Sequence, residues 1–90
     1  MAWTIEFHPG AEKELARIGS VATARVLRFL NERIAPLDNP RAIGEALKGP
    51  EFGAFWKYRV GDYRVIARIE DRTVTILVLR IGDRKSVYKR

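Results

Sequence analysis

Ninety residues make one domain with one modest core, and 47% hydrophobic against 31% charged side chains excludes a disordered chain. Cysteine is absent, which excludes disulfides and thiolate metal sites, and no apolar run approaches the ~20 residues of a membrane span. The net charge of +6 points instead to an anionic partner.

The opening Met1-Ala2-Trp3-Thr4-Ile5-Glu6 has neither a basic start nor an apolar export stretch. A single cytoplasmic domain over residues 1–90, with no membrane contact, is the expectation. Trp3-Thr4-Ile5-Glu6-Phe7 alternates as a short strand, and His8-Pro9-Gly10 breaks it with Pro9 placed to open a helix. Residues 11–18 carry apolar Leu15 and Ile18 among Glu12, Lys13, Glu14 and Arg17. Gly19 ends that helix and Ser20 is expected to cap the next. From Val21 to Ile34 the residues Val26, Leu27, Phe29, Leu30 and Ile34 recur at helical spacing, with Arg25, Arg28, Glu32 and Arg33 mostly on the other side, until Pro36. The Pro/Gly-rich stretch Leu37–Glu51 reads as a loop, with a helical turn near Ala42–Leu47.

Three strands follow, Phe55–Val60, Tyr63–Glu70 and Thr73–Ile81, rich in β-branched and aromatic residues. Gly61-Asp62 fits a two-residue type II′ turn with glycine first. The fold class is therefore α+β: an N-terminal strand, then a helical hairpin packed on one face of an antiparallel sheet. The order is β-α-α-β-β-β, with room for a last short strand near Ser86–Tyr88.

With that turn, Val60 faces Tyr63, Arg59 faces Arg64, Tyr58 faces Val65 and Lys57 faces Ile66. Alternation then puts Trp56, Tyr58 and Val60 with Tyr63, Val65, Ala67 and Ile69 on the side of the helices, so these aromatics read as core rather than a base-stacking platform. The other face holds Lys57 and Arg59 with Arg64 and Arg68. Two arginines directly opposite destabilise a hairpin unless an anion or carboxylate lies between them, and neighbouring strands offer no obvious carboxylate there. That pattern favours an anion-binding face over its alternative, an ordinary solvated one.

The charge map points the same way. Residues 1–47 carry six basic and six acidic side chains, while residues 48–90 carry eleven basic and five acidic, so the whole excess lies in the second part. After the most apolar strand, Leu79-Arg80-Ile81-Gly82-Asp83-Arg84-Lys85-Ser86-Val87-Tyr88-Lys89-Arg90 places a glycine suited to a sharp turn among basic residues, with one tyrosine. Such a set suits RNA, with cations on phosphates and a ring on an unpaired base, although Tyr88 also suits packing and basic tails are common. His8, the single histidine, reads as local structure, and no Cys/His set or tight carboxylate cluster suggests a metal.

Leu47-Lys48-Gly49, the run Trp56-Lys57-Tyr58-Arg59-Val60-Gly61-Asp62-Tyr63-Arg64-Val65-Ile66 and the terminal Ile81-Gly82-Asp83-Arg84-Lys85-Ser86-Val87-Tyr88 together resemble the RelE/ParE toxin superfamily across essentially the whole chain. The hairpin is common to the superfamily, whereas the terminal motif is nearer the RelE branch. That branch implies the toxin of a type II toxin–antitoxin system, an endoribonuclease that cleaves mRNA on the ribosome. It needs no metal or other cofactor. Its partners would be the ribosome, mRNA and a cognate RelB-like antitoxin bound over the basic half in a hetero-oligomer.

The resemblance further implies catalytic roles. Lys57 matches a family lysine, Arg64 the arginine that stabilises the transition-state phosphate, Arg84 the arginine that assists the leaving group, and Tyr88 the base-stacking tyrosine. Lys48, Arg59, Arg68, Arg80 and Lys85 supply further RNA-binding charge. Asp83 stands where many relatives have histidine, and Phe55 where some have a basic residue. The alternatives are a ParE-like toxin that poisons DNA gyrase without nuclease chemistry, and a catalytically weakened RNA-binding module.

Overall fold

The computed structural model describes residues 2–47, 55–83 and 85. Lys48, Arg84, Tyr88 and the last strand expected near Ser86–Tyr88 lie outside these residues. The first strand, β1, spans Thr4–Phe7. Helix α1 follows over Pro9–Arg17, with Pro9 in its first turn and His8 as its N-cap, whose ring Nδ1 accepts the Gly10 N–H at 3.1 Å. The lone histidine thus has the local role expected of it. Gly19, at φ 94°, separates α1 from α2 (Ser20–Phe29) and is itself the cap residue. Ser20 forms the first turn and makes no capping bond, contrary to expectation, because the left-handed glycine already turns the chain into the helix.

The second helical segment is not uniform. After Phe29 it widens into a π turn over Leu30–Ile34, closed by Ala35 N–H donating to the Leu30 carbonyl at 2.8 Å. Leu30 and Ile34 are both fully buried there, and the Ala35 carbonyl accepts Trp3 N–H at 2.7 Å, tying the helix end to the N-terminus.

The loop expected over Leu37–Glu51 carries more structure, and it lies elsewhere. A 3₁₀ turn forms at Pro40–Ala42, capped by the Asn39 side chain, and Glu45–Ala46 is a two-residue strand, β2, where a helical turn was expected. The edge of β3 (Phe55–Val60) decides this by pairing with Glu45 and Ala46 through Lys57 and Trp56. The hairpin of β3 with β4 (Tyr63–Glu70) has the expected register throughout, and Gly61 takes φ 61°. The final strand β5 runs over Thr75–Asp83, after a 3₁₀ turn at Asp71–Thr73 and a left-handed Val74. It therefore begins and ends later than the sequence suggests. Gly82 is not a turn but an extended residue paired with Arg64.

The sheet order is β1-β5-β4-β3-β2. Every pairing is antiparallel except β1 with β5, which is parallel, so the α+β class holds with one parallel pair inside it. Both helices cover one face. Tyr58, Val65, Ala67, Ile76, Val78 and Ile81 meet Val26, Leu30 and Ile34 there. The burial of these side chains is the main stabilising term of a domain this size. None of the described helices is long and apolar enough to cross a membrane.

Candidate nucleic-acid interface

On the sheet face away from the helices, β3 and β4 bring together Lys57, Arg59, Arg64 and Arg68 as the alternation requires, with Arg59 directly across from Arg64. Each cation has its own surroundings. Lys57 Nζ pairs with Glu45 Oε1 at 2.9 Å, and Arg68 pairs with Glu70 Oε2 at 2.9 Å. The expectation of no carboxylate on this face is therefore wrong. Glu45 arrives on the unforeseen strand β2, and Glu70 is two residues beyond Arg68 on the same strand.

Arg64 is 7% exposed and belongs to the interior, where the sequence suggested an open surface. Its Nη1 donates to the Gly61 carbonyl at 3.1 Å and to the Tyr63 carbonyl at 3.0 Å, so the hairpin turn holds its own arginine. These carbonyls draw the Arg64 guanidinium toward the turn, which relieves its repulsion with the exposed Arg59. On its other side Arg64 is registered with Gly82, which adds no side chain beside the guanidinium. The Nε and Nη2 donors of Arg64 form no hydrogen bond with a described residue. A guanidinium pinned in this way, with donors to spare, has the chemistry to hold an anion in a fixed orientation.

The β5 end differs from expectation. Leu79 is an extra residue between the Ile66↔Arg80 and Ala67↔Val78 pairs, a β-bulge. Glu14 of α1 meets it there. One carboxylate oxygen accepts Ile81 N–H at 2.9 Å and the other pairs with Arg80 Nη2 at 3.3 Å. Arg80 is thus engaged with a helix rather than grouped with Lys57 and Arg64. Asp83 Oδ1 accepts the Lys85 N–H at 2.9 Å, and Lys85 is exposed.

Beneath this face, the Tyr58 hydroxyl donates to the Pro40 carbonyl and the Trp56 indole to the Ile43 carbonyl, both at 2.7 Å. Phe29 lies edge-on to Tyr58, with ring centroids 6.0 Å apart. Burial pushes the Tyr58 phenol up to about 12, with Arg41 nearby acting in the opposite direction. Arg41 itself forms a bidentate pair with Asp71, at 3.0 and 2.9 Å, whose hydrogen bonds hold the carboxyl below its usual range.

Residues 5–88 match the sequence profile of the family described as the ParE toxin of type II toxin–antitoxin systems. The chain belongs to that family. Within the wider RelE/ParE superfamily, the toxin is 29% identical to Toxin RelG of Mycobacterium tuberculosis over 90 residues, covering 100% of both chains. Its fold resembles the crystal structure of the toxin–antitoxin complex RelBE2 from the same organism, with TM-score 0.83, 26% identity and 93% of each chain covered. It also resembles an E. coli RelE mutant in complex with an antitoxin RelBc peptide, with TM-score 0.71 and 26% identity over 96% of this chain and 87% of that one.

Sequence reasoning missed one feature of this surface. Glu45 carried no signal, since nothing local marks a two-residue strand.

Proposed function

We propose that this toxin is a ribosome-dependent endoribonuclease that acts in the cytoplasm on mRNA by metal-independent attack of a 2′-OH. The observation that carries the reading is Arg64, pinned by two hairpin carbonyls with free donors remaining, beside Arg59 and Lys57. A guanidinium already fixed where phosphate charge grows stabilises the transition state without reorganising. In the step itself the 2′-oxygen bonds to phosphorus and the bond to the 5′-oxygen breaks, leaving a 2′,3′-cyclic phosphate and a 5′-OH. The 2′-OH loses its proton to water and the 5′-oxygen gains one, the latter assigned to Arg84 and base stacking to Tyr88 by family resemblance. Lys57, engaged by Glu45, meets the substrate as a cation that exchanges a carboxylate for a phosphate. Lys48, Arg59, Arg68 and Lys85 add affinity for the backbone, and Arg80 does so only if it leaves Glu14. The antitoxin is a RelB-type protein, as in the similar solved complexes, forming a hetero-oligomer over the basic half.

Incubation with programmed ribosomes, followed by end analysis of the mRNA, tests the assignment. Arg64→Ala together with Arg84→Ala should lower cleavage by at least about 100-fold. Burial of Arg64 means its loss costs about 1–2 kcal/mol, so folding is checked by circular dichroism, and exposed Arg59→Ala serves as a variant with little folding cost. Undiminished cleavage by the folded double variant would sink the site. The second reading, gyrase poisoning, is favoured by the ParE description of the matching family. It wins if purified toxin blocks supercoiling and leaves ribosome-bound mRNA intact.

A further inference from the structure

Strand alternation places Phe55 on the basic face with Lys57 and Arg59, and the register sets it directly opposite Arg68 of β4. Arg68 is in turn opposite Leu77 of β5, and Ile66 is opposite Lys57, one row nearer the turn. Ile66 thus stands diagonal to Phe55, within the reach of an aromatic ring. Phe55, Ile66 and Leu77 are apolar, yet none of them belongs to the core under the helices. Ile66 is nevertheless only 3% exposed, and Phe55 and Leu77 are half-buried. The sheet therefore has a second, smaller apolar patch, set among the cations of the opposite face.

Phe55 supplies the ring in this patch, and its main chain is fixed from both sides. β3 pairs with β4 on one side, and on the other the Phe55 carbonyl accepts Leu47 N–H at 3.1 Å. Charge is arranged unevenly around it. Lys57, Arg59 and Arg64 lie toward the hairpin turn. Away from the turn come Glu70, which pairs with Arg68 at 2.9 Å, and Glu6, opposite Leu77 on β1. A chain of phosphates has its favourable path on the turn side, and the apolar patch borders that path. From Lys57 to Phe55 is two residues of strand, about 7 Å. A nucleotide spans a similar distance from its phosphate to its own base.

We propose that Phe55 stacks on an unpaired base of the RNA whose phosphate meets Lys57, with Ile66 and Leu77 as apolar ground beside it. This rests on the reading of the basic face as an RNA site, and it adds a base contact separate from the one assigned to Tyr88. A leucine would fill the patch as well as phenylalanine does, but only an aromatic ring offers a flat face to a base. The cations hold the backbone whether or not a base is attached, whereas the ring adds affinity only where one is.

That difference gives the test. Messenger RNAs on programmed ribosomes carry the cleaved codon either intact or with one base removed and its sugar and phosphate kept. With the unaltered toxin, removal of the base that meets Phe55 should lower kcat/KM by at least about fivefold. Phe55→Leu should lose a similar factor on the intact message and become insensitive to removal of that same base. Bases held by other contacts should stay as sensitive in the variant as before. Phe55→Tyr keeps the ring and should retain both the activity and the sensitivity. Circular dichroism checks the fold of both variants, and the series of messages tested on the unaltered toxin needs no variant to fold. Full cleavage by Phe55→Leu would overturn the proposal. So would a loss of the same size on every message, because the side chain would then act through the fold or the backbone. Failure of the unaltered toxin to cleave any message is a distinct result, which sinks the nuclease reading and the stacked base together.

Discussion

Tyr58 and Lys57 are neighbours in the chain and have opposite fates. Tyr58 turns into the helix-covered face, where it is fully buried, its ring meets Phe29 and its hydroxyl has a carbonyl. Lys57 turns to the other face, where its partner Glu45 is mostly exposed, at 62% of its side-chain surface. The helix face is held by contacts that cannot be exchanged without unfolding. On the basic face, Lys57 and Arg68 are held by carboxylates that another anion can displace. Only Arg64 belongs to both, since it is buried like a core residue and charged like a binding one. The comparison teaches that strand alternation separates buried, stabilising side chains from exposed, exchangeable ones at single-residue spacing, and that two of the four cations on the basic face, Lys57 and Arg68, are paired with carboxylates.

The sharpest way to break this comparison is to damage the helix face. Ile76→Ala removes a fully buried side chain and should cost about 2–5 kcal/mol in urea unfolding, whereas Arg59→Ala on the basic side should stay within about 0.5 kcal/mol. Equal costs would mean that the two faces are not mechanically distinct.

A smaller effect belongs to the Tyr58 hydroxyl. Tyr58→Phe leaves the Pro40 carbonyl without its donor and should cost about 1–2 kcal/mol. The folded phenol titrates near about 12, above its ordinary 10.0, so its protonated form favours the fold. That contribution is complete below pH 10, declines as the pH rises from there and is lost above about 12. Melting temperatures taken across this range should fall more steeply for the unaltered toxin than for the phenylalanine variant.

The smallest expected change in stability sharpens the other side. Glu45→Gln removes a largely exposed ion pair, so stability should shift by less than about 1 kcal/mol. Affinity for a short single-stranded RNA at low salt should nevertheless rise a few-fold, because the Lys57–Glu45 pair no longer competes with phosphate. Unchanged affinity in a filter-binding assay would remove Glu45 as a competitor for the site.

Much of the fold was legible because it rests on local rules. Gly61-Asp62 between alternating segments determined the hairpin, its register and the partition of Tyr58 from Lys57, since a tight turn with period-two alternation admits one pairing. His8-Pro9 announced the start of α1, and the spacing from Val26 to Ile34 identified the buried side of the second helical segment. The resemblance of the hairpin and the terminal motif gave the superfamily.

Tertiary structure alone decided the rest. Glu45–Ala46 is a strand only because the β3 edge is there to pair with it, and Gly44 departs only where the Trp56 indole captures Ile43. The bulge at Leu79 brings Ile81 N–H and Arg80 to Glu14, sixty-seven and sixty-six residues away in sequence. Arg25, Arg28 and Arg33 join Arg59 across the gap between a helix and a sheet edge. Each of these joins groups far apart in the chain, and no short window of sequence contains both partners. The sequence by itself determined which residues would be apolar, alternating or turning; the packing of helices on the sheet decided which charges would meet.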